Sequence, residues 1–89
     1  MIAITVDDER PMLNALTDIV KSSPDIKEVY DFSVCSAVIE WISRNSADIA
    51  FLDINMRGMG GLALAEKIAK LQPECEIVFC TGYEEYALS

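Results

Sequence analysis

Ile49-Ala50-Phe51-Leu52-Asp53-Ile54-Asn55-Met56-Arg57-Gly58-Met59-Gly60-Gly61 decides how this chain folds. An apolar run bounded by turn signals suits a strand buried on both faces, as in a parallel sheet. Asp53 ends that run and so stands at the sheet's carboxyl edge, outside which ligands bind in open α/β folds. Position alone makes it a candidate site residue. A role as a helix cap suits it less, because caps sit next to their helix and here several loop residues intervene. Gly58-Met59-Gly60-Gly61 reads as turn geometry, since it lacks the Gly-Lys-Ser/Thr ending of a phosphate-cradling loop.

Outward from this stretch the pattern alternates. Ile2 to Val6 is a short apolar strand running into Asp7-Asp8-Glu9. Pro11 suits the first turn of a helix, and Leu13, Leu16, Ile19 and Val20 recur on one face of it until Ser22-Ser23-Pro24. Glu28 to Phe32 alternates polar with apolar, as a strand near a sheet edge does. Ser33 is placed to cap a second helix with the stripe Val34, Ala37, Val38, Trp41 and Ile42, in which Trp41 is a core anchor. Asp48 to Asp53 is the central strand. Leu62, Ala65, Ile68 and Ala69 mark a third helix ending before Pro73. Glu76 to Cys80 is the next strand and delivers Thr81-Gly82, and Tyr83 to Leu88 begins a fourth helix. Strands alternating with helices predict an α/β fold, a doubly wound parallel sheet with helices on both faces.

Composition narrows the function. The 89 residues make one domain, with a modest core. A hydrophobic content of 52% with 25% charged residues is that of a globular protein. The net charge of −8 opposes direct binding of nucleic acid or an anionic membrane. No apolar stretch is long enough to span a bilayer, and the first residues lack the basic head of a signal peptide. Cys35, Cys75 and Cys80 are odd in number, and the chain has no histidine. Reduced core thiols in a cytoplasmic protein are therefore expected rather than a disulfide framework or a zinc site.

In a parallel sheet the residues ending each strand gather at one rim, so Asp7, Asp8, Asp53 and Thr81 are expected to converge. Unit charges about 4 Å apart repel by roughly 4 kcal/mol at an effective dielectric of 20, so such a cluster calls for a cation. Oxygen ligands without histidine or a usable thiol select Mg²⁺ or a similar ion. A metal there would neutralise an incoming phosphoryl group and leave one carboxylate to attack it.

Val6-Asp7-Asp8-Glu9 after the first strand, Phe51 to Gly61 around the third and Cys80-Thr81-Gly82-Tyr83 after the fourth together resemble the receiver domain of two-component response regulators. The likeness covers the whole chain. Thr81 to Leu88 is also similar to receivers attached to LytTR-type DNA-binding domains. The resemblance implies the flavodoxin-like fold with strand order 2-1-3-4-5, of which this chain carries 2-1-3-4. It implies Asp53 as the phosphoacceptor for a sensor histidine kinase's phosphohistidine. Asp8 would ligate Mg²⁺ directly, Asp7 chiefly through water, and Asn55 through its backbone carbonyl. Thr81 would turn its hydroxyl onto the phosphoryl group and move the adjoining loop and helix, signalling to a downstream output domain. The resemblance also puts Tyr83 at a position that influences the lifetime of the acyl phosphate, against the alternative of a surface or interface aromatic.

Three departures from the family pattern stand out. Arg57 replaces the usual proline, Gly60 stands where an acid is frequent, and the fifth strand with its lysine and the last helix are absent. None of Lys21, Lys27, Lys67 and Lys70 matches that lysine. An uncovered fourth strand predicts a homodimer or an element-exchanged oligomer. Two other functions are weighed. A pseudo-receiver would keep the fold as a dimerisation surface without being phosphorylated. A haloacid-dehalogenase-like phosphohydrolase would need an acid two residues after its nucleophile, where this chain has Asn55.

Overall fold

β1 (Ile2–Val6) is the strand on which the molecule is built, pairing in parallel with β2 (Glu28–Phe32) on one side and β3 (Ile49–Asp53) on the other. β4 (Glu76–Cys80) adds to the far side of β3, giving the order β2-β1-β3-β4. The structure, a computed structural model, describes residues 1–80. Thr81, Tyr83 and the fourth helix lie outside the described residues. Parallel neighbours cannot be joined by a tight turn, and each connection here carries a helix: α1 (Arg10–Lys21), α2 (Cys35–Ile42) and α3 (Gly61–Leu71). The expected doubly wound α/β architecture is the one observed, with β2 at the edge as its alternating sequence implied.

The main core lies between the sheet and the pair α2 and α3. Ile4, Val6, Ala50 and Leu52 point into it from the strands and meet Val38, Ile42, Leu64 and Ile68. Burying each of the larger aliphatic side chains favours folding by about 1.5–3 kcal/mol. Trp41 packs half-buried against this core, its ring 5.1 Å from that of Tyr30 and 6.0 Å from that of Phe32. On the opposite face α1 covers β1 and β2, burying Leu13 and Val20 and closing a hydrogen bond of 2.7 Å between the buried hydroxyls of Thr5 and Thr17.

Several expectations about facing are corrected. Burial on both faces belongs to β1, whose Ala3 to Val6 are all buried, rather than to β3, where Ala50 and Leu52 are buried but Ile49 and Phe51 only half so. The reason is that α1 lies chiefly over β1 and β2. In α1 the inward stripe is Leu13, Thr17 and Val20, and Ile19 is 70% exposed. At about 100° per residue it stands well around the helix from that stripe. Ser33 does not cap α2. Val34 occupies the N-cap with no side-chain cap bond, Val34 and Ala37 are exposed, and the Ser33 hydroxyl instead accepts from Arg10 Nη2 at 3.5 Å. In α3 the buried residues are Gly61, Leu64, Ala65 and Ile68, while Leu62 and Ala69 face outward. The helix begins so close to β3 that its first residue is already an inward one.

At the sheet edge away from the acids, Gln72 at the end of α3 reaches three backbone groups. Its Oε1 accepts from Ala47 N–H at 2.9 Å, and its Nε2 donates to the carbonyls of Ile42 and Asn45. All three cysteines are free. Among the described residues no helix is long and apolar enough to cross a membrane.

Candidate metal and phosphoacceptor site

Side-by-side parallel strands bring chemistry together here without any long-range bending of the chain. Val6 of β1 is in register with Leu52 of β3, so Asp7 follows β1 at the level of Asp53, and Asp53 is itself in register with Cys80 of β4. Asp8 is one residue further along the same loop. One carboxylate oxygen each from Asp7, Asp8 and Asp53 lie within 4.8 Å of one another.

Each acid is held by a backbone N–H. Glu9 N–H donates to Asp7 Oδ1 at 2.9 Å, and Asn55 N–H donates to Asp53 Oδ1 at 3.2 Å, both from two residues ahead in an Asx-type turn. Asp8 Oδ2 accepts instead from the facing loop, at 2.9 Å from Arg57 N. These bonds aim the carboxylates while leaving other lone pairs open. Asp7 is buried, and Asp8 and Asp53 are half-buried. Burial raises the Asp7 pKa above its ordinary value. The Glu9 N–H opposes the rise, and the charges of Asp53, Asp8 and Glu9 add to it.

Among the described residues the positive group in contact with the cluster is Arg57, its Nε 3.6 Å from Asp8 Oδ2. The thiols nearby stay protonated. Burial first, then Asp53 and Asp7, push Cys80 up, and burial with Asp8 does the same for Cys35. The donor set is therefore oxygen alone, and three convergent carboxylates fit a hard divalent cation such as Mg²⁺. A groove of about 450 Å³ opens beside them, lined by Asp8, Ser33, Cys35, Met56 and Arg57 from the loops after β1, β2 and β3.

The structure thus brings together Asp7, Asp8, Asp53 and Asn55 of the sequence-derived set, with Thr81 outside the described residues. Sequence reasoning missed two residues. Gly61 sits against the end of β3, where a Cβ would overlap the Asp53 carbonyl oxygen and lie 2.8 Å from Ile54 Cα. The cluster of glycines signals a turn but not which of them meets a backbone. Gly58 and Gly60 supply the positive φ angles of that loop. Arg57 stood out only as a departure from the family's usual proline, and nothing local in the sequence announces its pairing with Asp8.

Comparison with known proteins agrees with this fold. The chain is 33% identical over 88 residues to the sensory transduction protein LytR of Staphylococcus epidermidis, and 32% identical over 88 residues to the sensory transduction protein LytT of Enterococcus faecalis. Each match takes in 99% of this chain but only 35% and 36% of the relative, so the chain spans about a third of their length. Among solved structures, the response regulator TrrA of Thermotoga maritima in complex with Mg²⁺ and BeF superposes with a TM-score of 0.82 at 24% identity, covering 99% of this chain and 75% of that one. A CheY-like receiver domain protein of Methanospirillum hungatei matches with a TM-score of 0.81 at 27% identity, over 92% of this chain and 64% of that one. The family model for the response regulator receiver domain matches residues 3–89, and the chain belongs to that family.

Proposed function

We propose that this chain is the phosphoacceptor module of a two-component phosphorelay, phosphorylated on Asp53 in a Mg²⁺-dependent reaction that switches its protein contacts. The observation that carries the reading is the meeting of the Asp7, Asp8 and Asp53 carboxylates within 4.8 Å in a chain of the receiver family. Asp7, Asp8, Asp53 and the Asn55 carbonyl would hold the metal, which when bound neutralises charge on the incoming phosphoryl group. Asn55 N–H fixes Asp53 Oδ1, leaving Oδ2 to form the P–O bond. The phosphohistidine P–N bond breaks as that bond forms, and its electron pair returns to the imidazole nitrogen. The product is an acyl phosphate on Asp53. Two residues after Asp53 stands Asn55, which cannot serve as the acid that a haloacid-dehalogenase-like phosphohydrolase would need there.

By resemblance, the Thr81 hydroxyl would read the new phosphoryl group and Tyr83 would tune its lifetime. The partners on this reading are a sensor histidine kinase and, by analogy with relatives named transcriptional regulatory proteins, a DNA-binding output domain outside these 89 residues. The module would work in the cytoplasm. Its own charge of −8 argues that nucleic acid is not what it touches. Incubation with acetyl phosphate and MgCl₂, followed by intact-protein mass spectrometry, tests the proposal. One phosphoryl group should be gained, and both Asp53→Asn and chelation of the metal should abolish the gain. No gain in the wild-type protein would leave a pseudo-receiver, and a gain retained in Asp53→Asn would move the acceptor elsewhere.

A further inference from the structure

Arg57 stands where two independent contacts meet on one oxygen. Its backbone N–H donates to Asp8 Oδ2 at 2.9 Å, and its guanidinium Nε lies 3.6 Å from the same atom. The N–H takes one of the two lone-pair directions of this oxygen, and a metal binding it would have to share it with a guanidinium charge 3.6 Å away. A proline here would bring neither the N–H nor the cation. The two contacts differ in how easily they are given up. The N–H belongs to a loop pinned between β3 and α3, where Gly61 N–H donates to the Ile54 carbonyl at 3.1 Å. The side chain is 91% exposed and swings on a flexible stem, while Asp8 is only 17% exposed.

We propose that Arg57 is a tethered cation that competes with the divalent ion for Asp8 and so sets how tightly this site binds metal. The inference rests on the metal-binding reading above. In the metal-free protein the guanidinium offsets part of the repulsion among the three acids. Binding of Mg²⁺ displaces it into the groove lined by Ser33 and Met56, so that each binding event must break one ion pair. The same competition favours small, highly charged cations over monovalent ones, since only the former recover the lost pairing.

Calorimetric titration of the full chain with MgCl₂ at fixed ionic strength tests this. An exposed ion pair contributes at most modestly, so Arg57→Ala should tighten the magnesium Kd by about two- to fivefold. Arg44→Ala is the control for net charge, because Arg44 pairs with Glu40 at 3.8 Å on an exposed surface of the molecule. That variant should leave the Kd within experimental error of wild type. An Arg57→Ala Kd equal to or weaker than wild type, or an equal shift in both variants, would overturn the competition while leaving the metal site standing. Absence of magnesium binding in every variant would overturn the metal-binding reading and this inference with it.

Discussion

Asp7→Asn should stabilise the metal-free protein, a result opposite to that of most substitutions at a buried polar position. Carboxylate oxygens no more than 4.8 Å apart repel, per pair of unit charges, by about 3.5 kcal/mol at an effective dielectric of 20 and about 0.9 kcal/mol in bulk water. Asp8 and Asp53 are half-buried at a rim open to solvent, which places the interaction nearer the lower figure. Asparagine keeps an Oδ1 acceptor for the Glu9 N–H, so the local turn is retained. A net gain of about 1–2 kcal/mol at pH 7 is expected. It is measured by urea unfolding in EDTA, with the fluorescence of the single tryptophan, Trp41, as the probe.

The pH dependence follows from the direction of the Asp7 shift. Burial, with the neighbouring charges, raises its folded-state pKa above the ordinary 3.8. A group raised in this way contributes stability below its unfolded pKa and loses it as the pH climbs through the folded value. The advantage of Asp7→Asn is therefore full above the raised folded pKa and shrinks as the pH falls towards 3.8. Magnesium should narrow the gap at pH 7 by strengthening the wild-type protein more than the variant. Equal or lower stability of Asp7→Asn at pH 7 in EDTA, or an advantage that persists unchanged into the ordinary carboxylate range, would refute the account of mutual repulsion.

Gly61→Ala should cost about 1–3 kcal/mol or more by urea unfolding, because the new methyl meets backbone of β3 rather than a side chain that can yield. Gly58→Ala, with open space around it and only the left-handed backbone to overcome, should cost less, about 1–2 kcal/mol. Thr5→Val should destabilise by about 1–3 kcal/mol by leaving the Thr17 hydroxyl buried and unpaired. The double variant Thr5→Val with Thr17→Val should recover part of that loss, and strictly additive costs would refute the pairing.

The meeting of Asp7, Asp8 and Asp53 was legible because it needs only two facts, that the strands are parallel and that each ends in an acid. The edge position of β2 followed from its alternating polar and apolar residues, whereas the strand order followed from the likeness to receiver domains. Depth and facing were not legible, because hydropathy ranks residues without knowing their partners. Ile19 is more apolar than Thr17, yet Thr17 turns inward since Thr5 waits opposite with a matching hydroxyl. Leu62 is displaced outward because Gly61 occupies the place nearest β3. Arg57 and Asp8 lie 49 residues apart, and their pairing emerges only when two loops face each other across the rim. Ser33 was a reasonable cap by type, but the helix starts later, after Val34 in extended conformation.

Gln72 links parts of the chain that are otherwise separate. Its side chain belongs to the last turn of one helix while its three partners lie on the preceding helix's exit and the start of a strand. Fraying of that final turn would strip all three partners together, so the segment from Ile42 to Ala47 cannot breathe independently of it. Amide hydrogen exchange at Ala47 should consequently track the opening of a helix end 25 residues downstream, making this corner a single cooperative unit remote from the acids.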